Sequence, residues 1–147
     1  MDAKTDRQQW MAVLANARLT ELEQACSELP SLPVYDLLRR PEIGLAMVRG
    51  RIGGSGQRFN LGEMTVTRCA VRTAKGRIGV SYIAGRHPRH AELAALLDAM
   101  LQDAAQQEAV QAAVIAPLAV AQEARRRAAS SKAAATKVEF FTMVRGD

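Results

Sequence analysis

Residue types that can do chemistry are sparse in this sequence, and one pair stands out near its middle. A single residue, Ala91, stands between His90 and Glu92, a spacing that zinc deaminases use for a metal ligand and a general acid–base. Those enzymes also need a downstream Pro-Cys-x-x-Cys, which the chain lacks. A site made by His87 and His90 is weak, because Pro88 begins a helix between them and no third ligand is clustered nearby. We therefore expect no metal site.

Two interpretations of the His90–Glu92 pair stay open. In the first, Glu92 complements the positive first turn of a helix that begins at Pro88, and His90 is a surface or cap residue. In the second, His90, Glu92 and Arg86 form a polar site that faces a ligand or a partner.

A glycine cluster with flanking arginines is the other candidate site. Residues 50–56 contain four glycines, and Arg49, Arg51 and Arg58 lie within or beside them. Glycine-rich backbone can present converging N–H groups to a phosphate. The cluster matches neither the P-loop nor the dinucleotide-binding pattern, and a strand follows it instead of a helix. The segment is therefore typical of a hairpin loop, with a phosphate- or partner-binding loop as the alternative.

Basic residues are concentrated in the middle of the chain. The 147 residues include 20 Lys and Arg against 15 Asp and Glu, a formal net charge of +5. Residues 39–89 hold eleven of the basic residues and two of the acidic ones, so this segment carries +9. Ten of the eleven are arginine, which suits bidentate pairing with phosphate or carboxylate. The segment predicts an anionic partner, whether nucleic acid, a polyphosphate or an acidic protein surface.

Several function classes lose support from the composition. Cys26 and Cys69 lie outside CxxC spacing and are predicted to be packing residues, and two histidines leave little material for a nucleophilic triad. We therefore expect no catalytic residue and no cofactor on this chain. No apolar run approaches the roughly 18 residues that span a bilayer, and no signal-peptide core follows the first residues, so we expect a cytoplasmic protein without membrane contact. Nucleic-acid binding is weakened because aromatic residues are not interleaved with the basic segment.

Hydrophobic periodicity predicts the elements that must position these residues. The order predicts a single α+β domain over residues 1–147, with an N-terminal helical hairpin, an antiparallel sheet of about four to five strands flanked by helices, and a C-terminal strand. The predicted helices are 5–17, one from Thr20 to before Pro30, one from Pro88 onward, and 118–133. The predicted strands are 34–39, 45–52, 64–72, 78–84 and 138–144, with a turn at Lys75-Gly76.

The C-terminal segment is apolar on both faces of the predicted strand. Such a strand stays ordered only if it inserts into its own sheet or docks against another chain, and the two options stay equal. Alanine accounts for 27 residues, so larger apolar side chains are few for this length. This indicates either a small fold with much exposed helix or a chain that completes its burial on a partner. The candidate interface residues are Phe140, Phe141, Met143 and Arg145.

Several motifs, in their order and spacing, resemble a known family. They are residues 7–15, 44–56, 59–69, Gly85-Arg86, His90-Ala91-Glu92, 115–118, and the run Thr136 to Asp147 that contains Phe140-Phe141-Thr142-Met143-Val144-Arg145-Gly146-Asp147. Together they cover nearly the whole chain. The sequence resembles the PhnG family, the G subunits of the bacterial carbon–phosphorus lyase core complex.

The resemblance implies an accessory role in phosphonate use. PhnG-like proteins assemble with H, I and J subunits, two copies of each, and with the I, H and L subunits they support attack of methylphosphonate on C1′ of the ATP ribose. Adenine leaves, and ribose 1-methylphosphonate 5-triphosphate forms. The resemblance supplies no catalytic residue on the G subunit, and ATP is a substrate of the complex. The expectation for this chain is a non-catalytic subunit that meets neither nucleic acid nor membrane.

Three positions depart from the family pattern, which more often has Thr at 43, Thr at 55 and Asp at 87, where this chain has Ile43, Ser55 and His87. An Asp before Pro88 would be a better N-cap than His. The rival readings are a free-standing enzyme that uses His90 and Glu92, and a small basic nucleic-acid-binding domain.

Overall fold

The chain folds as an α+β structure with a three-stranded antiparallel sheet in the order β1-β2-β3. The computed structural model describes the backbone of residues 3–51 and 58–145 and the side chains of residues 6–49 and 61–134. The strands are β1 Tyr35–Arg51, β2 Arg58–Thr73 and β3 Ile78–Ala84. The helices are α1 Ala3–Asn16, α2 Leu19–Ser27, α3 Pro88–Leu101, α4 Ala104–Val110, a π-helical turn Gln111–Ile115, and α5 Ala116–Arg145.

Helix α3 is the centre of the fold. Its residues are buried from Ala91 to Leu101 except Glu92, as expected of a helix enclosed on all sides. One side packs on the sheet against Cys69, Val71 and Ile83, and the other side meets α1, α2 and the helical segment from α4 onward. The core is therefore a sheet, one central helix and an outer layer of helices.

The contact between α3 and β3 is close enough to require glycine. A Cβ atom at Gly79 would lie 1.9 Å from the carbonyl oxygen of Ala95 and 2.9 Å from the Cβ of Ala99. Hydrogen bonds fix the alignment: the Ser81 hydroxyl donates to the Ala91 carbonyl at 2.6 Å, and the Gln102 amide donates to the Ile78 carbonyl at 2.8 Å. Helix α3 thus runs antiparallel to β3 with its N-terminus toward Ala84.

Asp98 joins three elements from inside the core. Its carboxylate is fully buried and accepts hydrogen bonds from the Trp10 indole at 2.8 Å, the Val80 backbone N–H at 3.0 Å and the Arg7 guanidinium at 2.9 Å. Arg7 and Trp10 belong to α1 and Val80 to β3. The Asp98 carboxylate raises the pKa of Arg7, chiefly through their hydrogen bond. One charged group therefore ties α1 and β3 to α3.

The predicted sheet of four to five strands is wrong in number, because two predicted strands form one and the predicted C-terminal strand is helical. Residues 35–39 and 45–51 of the two predicted segments lie in β1, which is 17 residues long. The pairing with β2 shifts register between Arg39 and Glu42, and Pro41 lies in that irregularity. A proline without an N–H is tolerated at such a bulge on an edge strand, so Pro41 does not end the strand. The predicted hairpin of β2 and β3 is confirmed.

The predicted C-terminal strand 138–144 is wrong, because α5 continues to Arg145. The alanine-rich segment before it is a strong helix former, and extending an existing helix costs far less than nucleating a new element. The predicted helix 118–133 is confirmed as part of this longer helix. Phe140, Phe141, Met143 and Arg145 consequently lie on helical backbone and not on a strand.

Helical boundaries differ from the sequence prediction at two further places. Helix α2 is confirmed but begins at Leu19, one residue before the predicted Thr20, and the Glu21 carboxylate in its first turn accepts from the Arg18 N–H at 3.4 Å. Pro117 does not break the chain of helices. The Ala116 N–H donates to the Gln111 carbonyl five residues back, which forms a π turn directly before Pro117. Proline has no N–H to donate, and the helical backbone continues past it because this wider turn precedes it.

Replacing Asp98 with Ala should lower the free energy of unfolding by about 4 kcal/mol, because two buried donors, the Trp10 indole and the Val80 N–H, lose their acceptor. Urea unfolding followed by circular dichroism measures the change. The matched control is Asp36→Ala on the exposed part of β1, which should stay within about 0.5 kcal/mol of the parent. Equal effects of the two substitutions would contradict the role of Asp98.

Candidate functional site

The turn that leads into α3 places the residues singled out from the sequence. The Thr67 hydroxyl donates to the Gly85 carbonyl at 2.6 Å and accepts from the His87 backbone N–H at 3.0 Å. Gly85 has φ +90°, a conformation that favours glycine, and Pro88 follows His87 as the first helical residue. His87 is the N-cap but makes no side-chain cap hydrogen bond. This turn fixes where α3 begins and leaves Arg86 exposed.

His90 is a core residue. Its side chain is buried, and Nε2 lies 2.7 Å from the Leu14 carbonyl of α1, so this nitrogen carries the hydrogen that it donates. The ring of His87 lies 6.3 Å from the ring of His90, centroid to centroid. The bond to Leu14 holds α1 against the first turn of α3.

Glu92 faces a different element. Its Oε2 accepts a short hydrogen bond from the Tyr35 hydroxyl at the start of β1, and Arg89 approaches the same oxygen at 4.0 Å. The bond to the Glu92 carboxylate is the main reason that the pKa of Tyr35 rises to about 12. Glu92 therefore joins α3 to β1.

The structure separates His90 and Glu92 as chemical groups. Residues two apart on a helix do not face each other. His90 contacts the carbonyl of Leu14 on one side of α3, and Glu92 contacts Tyr35 on another. Both side chains stabilise helix packing, and they do not converge on a common substrate position.

The arginines around the glycine cluster lie at the far end of the β1–β2 hairpin. Arg51 pairs with Arg58 across the ladder, and Arg49 pairs with Asn60. Residues 52–57, which include most of the glycine cluster and Ser55, lie outside the described residues. The last level of the sheet that includes β3 pairs Gly44, Val66 and Ala84. Arg51 lies seven positions beyond Gly44, about 23 Å along the strand, whereas Gly85 bonds to Thr65 near the start of this stretch, so Arg86 does not lie beside Arg51.

The clefts of the described part of the chain do not gather free cationic groups. A cleft of about 380 Å³ between α1 and α5 is lined by Arg125 and Arg126 among others. Arg125 binds both oxygens of Glu21 at 2.9 Å, and Arg126 binds Glu123 at 2.9 Å. These ion pairs neutralise the cleft. Within the described ranges, no three His, Cys, Asp or Glu residues cluster as metal ligands.

Neither cysteine is activated as a nucleophile. Burial is the main cause that raises the pKa of Cys69 to about 11, and burial also raises the pKa of Cys26. Both thiols therefore stay protonated near neutral pH, where the thiolate is the reactive form.

Sequence reasoning missed Asp98 and Tyr35, the two residues with the most specific polar contacts in the fold. Asp98 left a usable signal, since it is an acidic residue inside the otherwise apolar run from Leu93 to Leu101. A buried acid must be paired, which points to a donor elsewhere in the chain. Tyr35 left no such signal, because its partner is 57 residues away.

The fold and the site define an α+β protein whose most distinctive polar side chains, Asp98, His90 and Glu92, join its helices to one another and to the sheet. A model of the family described as phosphonate metabolism protein PhnG matches residues 5–146. The chain therefore belongs to the PhnG family.

A curated relative supports this assignment. The alpha-D-ribose 1-methylphosphonate 5-triphosphate synthase subunit PhnG of Rhizobium meliloti (strain 1021) is 43% identical over 141 residues, which cover 96% of this chain and 90% of the relative. No helix in the described ranges is long and apolar enough to cross a membrane.

The Tyr35–Glu92 bond predicts an alkaline signature. Because the folded-state pKa of Tyr35 is raised from 10.0 to about 12, the bond contributes stability below pH 10 that is lost as the pH rises toward 12. The difference between the phenolate absorbance titrations of the parent and Tyr35→Phe isolates Tyr35, and its midpoint should lie near pH 12. Tyr35→Phe should also cost about 1 kcal/mol at neutral pH. A midpoint near 10 would show that the bond does not form in solution.

Proposed function

We propose that this chain is an accessory subunit of a carbon–phosphorus lyase core complex. The complex transfers the ribose 5-triphosphate of ATP to methylphosphonate: the phosphonate oxygen bonds to C1′ as the C1′–N bond to adenine breaks. The relative's name, subunit of ribose 1-methylphosphonate 5-triphosphate synthase, supports this role. The partners would be the H, I and J subunits of the core, with the L subunit for the transfer step.

One observation favours an accessory role over catalysis by this chain. The only acid–base pair with a recognisable spacing is used for packing, since His90 bonds to Leu14 and Glu92 to Tyr35. The reading of a free-standing enzyme required these two side chains to act together. The nucleic-acid reading is disfavoured because several basic residues are held by acids of the same chain, as Arg39 and Arg68 are by Glu42.

The C-terminal end of α5 is a proposed subunit contact. Residues 128–134 of this helix are exposed, so α5 leaves the body of the protein before it reaches Phe140, Phe141, Met143 and Arg145. A helix end with apolar residues is suited to a groove on another subunit. This proposal keeps the four candidate residues and replaces the predicted strand with a helix.

Reconstitution tests the proposed function. The chain should co-purify with the H and I subunits of its own organism, and the assembly with the L subunit should release adenine from ATP only when methylphosphonate is present. The same mixture without this chain is the control and should lose most of the activity. Adenine release by this chain alone would contradict the accessory role.

The hairpin arginines can be tested in the same assay. Changing Arg49, Arg51 and Arg58 together to Ala should leave the unfolding free energy within about 1 kcal/mol, because Arg49 is exposed and the pairing of the two strands uses backbone groups. Adenine release by the reconstituted complex, or its assembly, should fall at least tenfold if these residues bind phosphate or another subunit. The control replaces Arg126 and Arg127, exposed on α5 and paired with Glu123, by Ala. Unchanged activity in the first variant would show that the three arginines are solvated surface charges.

A further inference from the structure

The sheet is much longer than the helix that covers it. Helix α3 has 14 residues and spans about 21 Å, close to the about 23 Å of the seven-residue β3. Strand β1 has 17 residues and spans about 56 Å. Beyond the level of Val66 and Ala84, β1 and β2 continue as a two-stranded ribbon made by residues 45–51 and 58–65, which we call the ribbon.

The ribbon exposes large apolar side chains that no part of the described chain covers. Leu45 is 68% exposed, Leu61 61% and Met47 51%. Leu45 and Met47 pair with Thr65 and Glu63, which lie on the same sheet face as the buried Thr67. The apolar face of the core therefore continues outward past the start of α3, where it has no helix to pack against.

A bare ribbon of this kind depends on a partner. Two strands alone are marginally stable in water, and an exposed apolar edge strand invites pairing with another chain. A protein surface that packs on Leu45 and Met47 would supply the layer that α3 supplies to the rest of the sheet.

Charge disfavours the docking of one ribbon against the ribbon of a second copy of this chain. The end of the ribbon holds three arginines against one acid, Glu63, and its base is also basic, because Glu42 is already paired with Arg39 and Arg68. Two ribbons side by side would bring like charges together in either orientation, which is unfavourable. The residues at the end are Arg49, Arg51 and Arg58.

We propose that the ribbon docks in an apolar groove with an acidic rim on another subunit of the same complex. This inference rests on the proposed function and identifies the surface that makes the contact. The groove packs against Leu45 and Met47, and its carboxylates pair with the arginines at the ribbon end. The ribbon is thus an assembly element that the chain extends away from its own core.

The test uses the full chain co-expressed with the H, I and J subunits of the same organism. The double variant Leu45→Thr, Met47→Thr keeps strand propensity and touches no buried residue, so its circular dichroism and melting temperature should match the parent. The amount of the other subunits that it retains on affinity purification should fall at least tenfold. The matched control is Val120→Thr, an apolar residue that is 71% exposed on α5, and it should retain them fully.

Two further measurements separate the alternatives. The Arg49→Glu variant should lose more binding at low salt than at high salt, because the parent's ionic contacts are themselves screened by salt. A photo-crosslinking amino acid at position 47 should link to another subunit, and the same amino acid at position 120 should not.

A wild-type chain that retains no subunit would overturn the proposed function itself. If the wild-type chain retains the other subunits and the ribbon variant retains them equally, only the ribbon inference is overturned. A crosslink from position 47 to a second copy of this chain would also overturn only the ribbon inference.

Discussion

The buried carboxylate of Asp98 is the interaction on which the architecture depends. A charge in the interior is tolerated only when donors surround it, and here the donors come from Arg7, Trp10 and the backbone of β3. Their convergence requires α1, α3 and β3 to meet at one point. Gly79, the neighbour of Val80, has no Cβ, and a Cβ there would lie 1.9 Å from the Ala95 carbonyl oxygen. Glycine at this position therefore allows α3 to approach β3 closely enough for this geometry. Together they set the spacing of the layers.

What could be predicted follows from how local each signal is. The β2–β3 hairpin and α3 were correct, because the turn at Lys75-Gly76 and the leucine spacing after Pro88 are short-range patterns. The C-terminal strand was wrong because residues 138–144 fit either period, and the decisive influence is the helix that precedes them. His90 and Glu92 were expected to form a polar site or a capped first turn. Their actual partners, Leu14 and Tyr35, are distant in sequence and carry no local pattern.

The close packing of α3 on the sheet accounts for part of the low proportion of large apolar residues. Alanine fills the close contacts of α3 with the sheet, as at Ala95 and Ala99, where larger side chains would separate the layers. Several of the larger apolar residues, including Leu45 and Leu61, are placed on the ribbon instead. The large apolar side chains therefore lie on two surfaces, one inside the core of the fold and one on the exposed ribbon.

The π turn at Gln111–Ile115 has a geometric effect on everything after it. One extra residue in a helical turn rotates the following helix by about 100° relative to an unbroken α-helix. With this rotation, Gln122 donates to the Val13 carbonyl at 2.7 Å and Arg125 donates to the Glu21 carboxylate. The number of residues between Val110 and Pro117 therefore fixes the rotation of α5 about its own axis. It decides which face of the 30-residue helix α5 meets α1 and α2.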